Sequence, residues 1–206
     1  MEPSARVILL ASASPRRKEL LEALGHVVLV RPVHIDERER AGETPDAYLE
    51  RIVSAKLEAG RTAARAQSSD RTLDALVVAD TTVVVDARIL QKPEDDADGR
   101  RMLEALSGRG HLVTTRFAVA SLQPQQPERA PHVESVTTRV VFRALLDEEI
   151  DAYVSSGEGR DKAGGYAIQG RAASFISRIE GSYGAVVGLP SCEVTLALHR
   201  LPRMKA

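Results

Sequence analysis

Hydrophobic and polar positions follow each other along the chain in blocks that predict strands and helices in turn. Residues 7–11 form an apolar run typical of a buried strand. A helical pattern follows from Pro15 to Leu24, and Gly25 suits the position just after a helix end. A second short strand is predicted at 27–30, and Thr44-Pro45 opens a helix with an apolar stripe.

The middle of the chain has the pattern of a buried strand followed by a hairpin. A continuous apolar run at 76–79 predicts a strand buried on both faces, which ends at Asp80. Residues 82–85 and 88–90 predict a hairpin. Further predicted elements are a helix at 94–106, strands at 112–122 and 133–142, a helix from Asp147, a strand at 174–176 and a helix from Pro190, with a Pro- and Gln-rich loop at 123–131. This order predicts an α/β fold with a mixed central sheet flanked by helices.

Composition narrows the class of protein. We expect one domain over residues 1–206, with a core built from 43% hydrophobic residues. The net charge of −1 argues against a nucleic-acid partner, and the 3% aromatic content argues against base-stacking surfaces. We predict that the single cysteine, Cys192, is a core residue rather than a nucleophile. The sequence lacks a signal peptide and any run of about 18 apolar residues, which predicts a soluble cytoplasmic protein without membrane contact.

The start of the first predicted helix is a candidate phosphate site. Ser14 suits the N-cap position, and Ser12 precedes it. Arg16 and Arg17 fall in the first turn, where free N–H groups already make the helix end positive. A bound anion would remove that conflict, because N–H groups, hydroxyls and guanidinium groups can together hold a phosphate. The alternative is a capped surface helix whose arginines face water.

Four other residues are candidates for chemistry on separate segments. Asp80 follows a buried strand, where α/β sheets place ligands, although an aspartate in a turn is the commoner case. Lys56 and Lys92 could supply positive charge, or they could be solvated surface residues. Glu37 belongs to the acidic pair 36–37, which could hold a divalent cation or form a charged loop.

The segment 157–170 is dense in glycine, which lets backbone approach a ligand closely. It matches neither a Walker phosphate loop nor a dinucleotide fingerprint. The amide of Gln169 could read a base edge, because it both donates and accepts hydrogen bonds. The alternative is a flexible connector. The single His111 has no second histidine at ligand spacing, so we expect a packing or hydrogen-bonding residue.

Taken together, these segments closely resemble the Maf family of nucleoside triphosphate pyrophosphatases from residue 7 to about residue 198. The matching motifs are Ala-Ser-Ala-Ser-Pro-Arg-Arg at 11–17, Asp-Glu at 36–37, Ala-Lys at 55–56, Ala-Asp-Thr at 79–81, Gln-Lys-Pro at 91–93, Leu-Ser-Gly at 106–108, Asp-Lys-Ala-Gly-Gly-Tyr-Ala-Ile-Gln-Gly at 161–170 and Val-Val-Gly-Leu-Pro at 186–190. The resemblance implies two lobes around a cleft, similar to inosine triphosphatases. It also implies a possible homodimer.

The resemblance implies hydrolysis of a nucleoside triphosphate to the monophosphate and pyrophosphate with Mg²⁺ or Mn²⁺. Arg16, Thr81 and Gln169 match the branch that acts on dTTP and UTP. In this interpretation Asp80 is the catalytic proton acceptor, and Glu37 and Asp80 are metal ligands. The expected substrate-binding residues are Ser12, Ser14, Arg16, Arg17, Lys56, Thr81, Lys92 and Gln169. Thr82 stands where the family more usually has an aliphatic residue.

Two other functions remain open from the sequence. The family is associated with arrest of septum formation, so the protein could sense nucleotides in cell division without turnover. It could also hydrolyse a modified or noncanonical nucleotide. Detection of pyrophosphate release tests the first alternative, and a panel of triphosphates tests the second.

Overall fold

The computed structural model describes residues 5–66, 73–123 and 129–202, so the middle of the predicted 123–131 loop lies outside the described residues. These residues form seven strands and six α-helices. Their bounds are β1 (Val7–Leu10), α1 (Pro15–Ala23), β2 (Val27–Val30), α2 (Pro45–Arg65), β3 (Ala75–Val85), β4 (Arg88–Leu90), α3 (Asp96–Leu106), β5 (Gly110–Ser121), β6 (His132–Phe142), α4 (Asp147–Ser155), β7 (Ile176–Glu180), α5 (Tyr183–Val187) and α6 (Ser191–Arg200). Short 3₁₀ turns lie at Ala163–Gly165 and Arg171–Phe175.

The strands form a mixed sheet in the order β2-β1-β3-β5-β6-β7, and β4 pairs with β3. Strand β1 runs parallel to both β2 and β3, which explains why its residues are almost continuously apolar. Strand β4 is antiparallel to β3 and β7 is antiparallel to β6. The β3–β4 hairpin turns at Asp86 and Ala87, both with positive φ. The predicted mixed α/β fold is confirmed.

The chain divides into two compact units. The first contains Met1–Asp80, Arg116–Ser135 and Gly188–Ala206, and the second contains Thr81–Thr115 and Val136–Val187. Strands β3, β5 and β6 contribute residues to both units. The single domain expected over residues 1–206 stays a prediction.

The first unit has a core between helix α2 and the sheet. Val53 and Leu57 on α2 pack with Leu76 and Val78 on β3, and all four are buried. Thr44 caps the helix, because its hydroxyl oxygen accepts from the N–H of Ala47. The burial of this stripe fixes which face of α2 lies against the sheet.

The second unit is built around an aromatic cluster. The ring of Phe142 contacts His111, Tyr166 and Phe175 in edge-on arrangements, with centroid distances between 5.0 and 6.1 Å. The ring of Tyr153 contacts Phe175 at 5.3 Å. Such pairs favour a fixed geometry beyond simple burial of apolar area. His111 is the packing and hydrogen-bonding residue that we expected, since it also shares a hydrogen bond with Tyr166.

Three sequence-based predictions are wrong. Asp80 does not end a strand, because β3 continues from Ala75 to Val85. The strand predicted at 174–176 is mostly a 3₁₀ turn, and β7 begins at Ile176. Cys192 is exposed rather than in the core, because it lies on the outer face of α6. Among the described residues, the longest apolar helical stretches are too short and too polar to cross a membrane.

Candidate functional site

The first turn of α1 is organised by Ser12 rather than by Ser14. Ser14 has the extended backbone of an N-cap residue, but its side chain makes no capping hydrogen bond. The hydroxyl oxygen of Ser12 instead accepts from the N–H of Ser14 at 3.2 Å and from Nη1 of Arg17 at 3.0 Å. The Nε of Arg17 donates to the carbonyl oxygen of Gly188 at 2.8 Å. Arg17 is therefore buried in the first unit, so the alternative of a water-facing side chain is wrong for it.

Lys56 joins the two candidate carboxylates, Glu37 and Asp80. Its Nζ lies 2.6 Å from Oδ1 of Asp80 and 2.7 Å from Oε1 of Glu37. The side chains of Lys56 and Asp80 are 9% and 14% exposed, whereas that of Glu37 is 45% exposed. A surface role for Lys56 is therefore wrong. One ammonium group is therefore shared by two acids, of which Glu37 is the more exposed.

The acidic pair 36–37 has split roles. Asp36 accepts two hydrogen bonds from the guanidinium of Arg38, which lowers the pKa of that carboxyl group well below its usual range. Glu37 reaches Lys56 instead. Because Asp36 is held by a neighbouring arginine on an exposed loop, Glu37 is the member of the pair that belongs to the candidate site.

The charges around Asp80 act on Arg17. Burial lowers the pKa of the Arg17 guanidinium, and the positive charge of Arg16 lowers it further. The negative charges of Asp80 and Glu37 oppose that shift. The first unit thus brings Ser12, Arg17, Glu37, Lys56 and Asp80 into one electrostatic group, with Ser14 and the half-buried Arg16 at the adjoining helix start.

The predicted site residues of the second unit lie on separate segments. The hydroxyl groups of Thr81 and Thr115 share a hydrogen bond of 2.8 Å, and Thr115 donates its proton to the carbonyl oxygen of Ala185 at 2.6 Å. Thr81 is therefore the donor to Thr115. Lys92 and Gln169 are exposed. Within the part of this unit that the structure describes, neither of them hydrogen bonds to Thr81.

The glycine-rich loop before Gln169 is ordered by close backbone packing. A Cβ atom at Gly159 would lie 1.9 Å from the carbonyl oxygen of Gly165. Gly164 has φ +72, and a Cβ there would lie 2.9 Å from Cγ1 of Val83. These contacts require glycine, so the alternative of a flexible connector does not describe this segment.

Sequence reasoning missed several groups that hold the site residues in place. The carboxylate of Glu158 accepts from the hydroxyl of Tyr153 at 3.0 Å and from the N–H of Arg171 at 3.1 Å, so it closes the loop that carries Gln169. No role was predicted for the Gly188 carbonyl or for the Thr115 hydroxyl, although both residues lie in segments that match the family. Each of these contacts joins residues far apart in the chain or uses a backbone atom, so no local pattern marks it.

Glu37 and Asp80 are suited to a divalent metal ion that is coordinated partly by the phosphates of a bound substrate. Within residues 5–66, 73–123 and 129–202, no group of three or more His, Cys, Asp or Glu side chains could hold a metal ion. Mg²⁺ commonly uses one or two carboxylates and completes its coordination with substrate phosphates and water. Glu37 and Asp80, which already share the cation of Lys56, would offer such an ion the hard oxygen ligands that it prefers.

The fold and the motifs identify the class of protein. The mixed sheet carries a serine- and arginine-containing helix start beside a Lys56-bridged pair of carboxylates. A family model described as Maf-like protein matches residues 7–201. The chain belongs to the Maf-like protein family, which confirms the resemblance found in the motifs.

The chain is similar over most of its length to proteins named dTTP/UTP pyrophosphatase. The protein of that name from Geotalea uraniireducens is 48% identical over 195 residues, which cover 94% of each chain. Those from Aliivibrio fischeri and Vibrio cholerae are 45% and 42% identical over 193 residues, covering 94% of this chain and 97% of theirs.

Proposed function

We propose that this protein is a nucleoside triphosphate pyrophosphatase that hydrolyses dTTP and UTP to the monophosphate and pyrophosphate. The observation that carries the proposal is the Lys56 ammonium shared by Glu37 and Asp80, beside the buried Arg17. The names of relatives that are 42–48% identical supply the substrate class.

The helix start and nearby cations bind the phosphates. A triphosphate carries about four negative charges, which must be balanced before a nucleophile can approach the phosphorus. Arg16 and Arg17 supply positive charge at an N-terminus that already favours anions. Ser12 and Ser14 supply hydroxyl groups there. Lys92 adds a further cation for the phosphate chain.

Asp80 accepts the proton of the attacking water. The water oxygen forms a bond to the α-phosphorus, and the bond to the oxygen that bridges to the β-phosphate breaks. Pyrophosphate leaves with that electron pair, and the proton from water passes to the carboxylate of Asp80. Lys56, which contacts Asp80 at 2.6 Å, holds the carboxylate in place for this transfer.

Glu37 and Asp80 are the residues that would hold a divalent cation such as Mg²⁺ or Mn²⁺. The bound ion would supply Lewis-acid polarisation of the phosphate and neutralise charge on it. Lys56 occupies the space between these two carboxylates in the structure. The Lys56 ammonium has three donors, so it would keep its contact with Asp80 while also donating to a phosphate oxygen.

Gln169 selects the base. Thymine and uracil present an O4 acceptor next to an N3–H donor, and one amide can pair with both. Cytosine presents the reverse pattern, so the amide must be held in one orientation to discriminate. Either Thr81, whose hydroxyl is itself fixed by Thr115, or a backbone group of the 164–170 loop provides that orientation. Arg16 completes the set that matches the dTTP/UTP branch.

The proposed setting is the cytoplasm, with a small-molecule nucleotide as the partner. A homodimer and the absence of a nucleic-acid partner stay predictions. Size-exclusion chromatography with light scattering measures the oligomeric state.

A panel of nucleoside triphosphates tests the proposed function. Each canonical ribo- and deoxyribonucleoside triphosphate is incubated with protein and Mg²⁺, and kcat/KM is measured from pyrophosphate release. We expect dTTP and UTP to be hydrolysed well above dCTP and all purine nucleotides. Gln169→Glu should lower kcat/KM for dTTP by about 1–3 kcal/mol of transition-state binding, because its carboxylate mismatches O4.

Asp161→Asn, an amide-for-acid change at an exposed position of the same loop, is the matched control for Gln169→Glu. A wild type that prefers guanine nucleotides, or a Gln169→Glu variant with an unchanged substrate profile, would contradict the assignment of the base pocket. Absence of pyrophosphate release from every triphosphate would contradict the proposed function itself.

A further inference from the structure

Strands β3 and β5 are neighbours in the sheet, and two contacts fix their register. The N–H of Leu122, just after β5, donates to the carbonyl oxygen of Asp74, just before β3, at 3.1 Å. Further along, the hydroxyl groups of Thr81 and Thr115 meet at 2.8 Å. The two strands are therefore antiparallel, with Thr81 opposite Thr115.

This register places Arg116 beside Asp80. Asp80 directly precedes Thr81, and Arg116 directly follows Thr115. In antiparallel strands these neighbours are also opposite each other, and their side chains lie on the other face of the sheet. Val78 and Ala118 lie two residues further along the same strands and pack in one core cluster with helix α2. Asp80 and Arg116 thus share the face that carries α2 and Lys56.

Among the described residues, the Arg116 guanidinium has no anionic partner. Its Nη1 donates to the hydroxyl oxygen of Ser135 at 3.0 Å, which is a neutral acceptor. Its Nε is buried, and among the described residues this atom has no hydrogen-bond partner. The ion pairs of the described chain include no carboxylate for Arg116. Because a buried donor without an acceptor is unfavourable, this guanidinium is suited to bind an acceptor from outside the chain.

Two other cations near Asp80 already have partners within this chain. Arg17 donates to Ser12 and to the carbonyl of Gly188, and Lys56 is shared between two carboxylates. Water held by Asp80 must reach the phosphorus that it attacks, so that phosphate lies next to Asp80. Asp80 and Arg116 are opposed residues on one face of the sheet, so the phosphate under attack is the substrate group that this register places nearest to Arg116. To bind it, the guanidinium turns from Ser135 on β6 towards β3.

We propose that Arg116 binds the non-bridging oxygens of the α-phosphate and stabilises the charge that develops there during attack. This inference rests on the proposed function, because it takes the α-phosphate as the site of attack. A guanidinium can donate two parallel hydrogen bonds to a phosphate, which a hydroxyl or an amide cannot match.

The test compares Arg116→Met with wild type in two independent measurements. Binding of dTMP, which retains the α-phosphate, is measured by calorimetry, and kcat and KM are measured with dTTP. We expect Arg116→Met to weaken dTMP binding about tenfold or more, because hydrogen bonds to charged groups are strong. The kcat for dTTP should fall by more than KM rises, since charge develops in the transition state. Binding of pyrophosphate, which lacks the α-phosphate, should stay unchanged.

Arg139→Met is the matched control. Arg139 lies on β6, and its guanidinium pairs with Glu180 on β7 at 3.4 Å. The control should bind dTMP and hydrolyse dTTP like wild type. Arg116→Lys keeps the charge but loses the fork of donors, so its dTMP affinity should lie between those of wild type and Arg116→Met.

The outcomes separate this inference from the proposed function. Weaker dTMP binding by Arg116→Met, together with the larger effect on kcat, supports the inference. If Arg116→Met weakens dTMP binding but wild type releases no pyrophosphate, the proposed function is overturned and only the contact of Arg116 with the α-phosphate stands. Wild-type dTMP affinity in Arg116→Met overturns the inference, as does an effect on pyrophosphate binding alone or a wild type that fails to bind dTMP. If Arg116→Met does not fold, an unchanged dTMP affinity in Arg116→Lys overturns it.

Discussion

Thr82 is a buried polar residue two positions after the candidate catalytic aspartate, Asp80. Its side chain is 1% exposed, and its Oγ1 has no hydrogen-bond partner among the described residues. An unpaired hydroxyl group in the interior costs stability, whereas a methyl group of similar size does not. We therefore expect Thr82→Val to raise the free energy of unfolding by about 1 kcal/mol, measured by urea denaturation.

Thr138→Val is the control for this change. The Oγ1 of Thr138 donates to the carbonyl oxygen of Ser182 and accepts from its N–H, and Thr138 is also fully buried. Removing that hydroxyl should lower the free energy of unfolding by about 1–3 kcal/mol. If Thr82→Val destabilises the protein as much as Thr138→Val does, the hydroxyl of Thr82 has a partner and the prediction is wrong.

At the level of single residues, the sequence predicted which side chains matter better than it predicted their environment. Glu37, Lys56 and Asp80 were each selected as candidates from separate segments. Their meeting at one ammonium depends on the packing of α2 against the sheet, which local sequence does not encode. Arg116 carried no motif, because its relation to Asp80 arises from the pairing of β3 with β5.

At the level of elements, the start of α1 depends on one serine more than on the other. Ser12 accepts from the N–H of Ser14 and from Arg17, whereas the Ser14 side chain makes no capping hydrogen bond. Ser12→Ala should lower the free energy of unfolding by about 1–2 kcal/mol, and Ser14→Ala should change it by less than about 0.5 kcal/mol. Thermal and urea denaturation of both variants measure the difference. Equal losses would show that Ser14 caps the helix through its side chain.

Elements with a strong apolar pattern were predicted well, and those interrupted by polar residues were not. The stripe on α2 predicted both the helix and its buried face. The polar run 80–82 suggested a break, yet β3 continues through it. Cross-strand partners explain the difference, because Thr81 bonds to Thr115 and Asp80 to Lys56. These partners lie 24 and 34 residues away in the sequence, so the local pattern of residues 80–82 predicts a turn instead of a continuing strand.

Helix α5 and strand β7, near the carboxyl end of the chain, were also poorly predicted from local sequence. No element was predicted between the strand at 174–176 and the helix from Pro190, but Tyr183–Val187 form a short helix. The carbonyl oxygen of Ala185 within that helix accepts from Thr115, which ties it to β5. A helix of this length is not stable by itself, so tertiary contacts rather than intrinsic preference determine it.

At the level of the whole molecule, one buried histidine links stability to pH. His111 is enclosed by Phe142 and Tyr166, and burial lowers its pKa to about 4. In the unfolded chain the imidazole titrates near 6.5, so the unfolded state binds more protons between these two values. The free energy of unfolding should therefore fall as pH decreases from 6.5 towards 4, by up to about 3 kcal/mol from this group.

His111→Gln isolates that contribution. The glutamine amide can still hydrogen bond to the hydroxyl of Tyr166, but it does not titrate. The stability difference between wild type and His111→Gln should shift against wild type by up to about 3 kcal/mol as the pH is lowered through this window. Urea denaturation at several pH values measures it. A difference that stays constant with pH would show that His111 does not carry the effect.

The central claim for the whole molecule is that Asp80 takes a proton during hydrolysis of a pyrimidine nucleoside triphosphate. Asp80→Asn removes the base but nearly preserves the shape of the side chain. Asp86→Asn, at the exposed turn of the β3–β4 hairpin, makes the same chemical change away from the candidate site, at a positive φ that asparagine tolerates.

The most direct test measures release of dTMP and pyrophosphate from dTTP with Mg²⁺ by wild type, Asp80→Asn and Asp86→Asn. Wild type and Asp86→Asn should hydrolyse dTTP alike. Asp80→Asn should still bind dTTP, but its kcat should be lower by about 10²–10⁴-fold, the usual contribution of a general base. A folded Asp80→Asn variant with near wild-type kcat, or a wild type that binds dTTP without releasing pyrophosphate, would contradict the account.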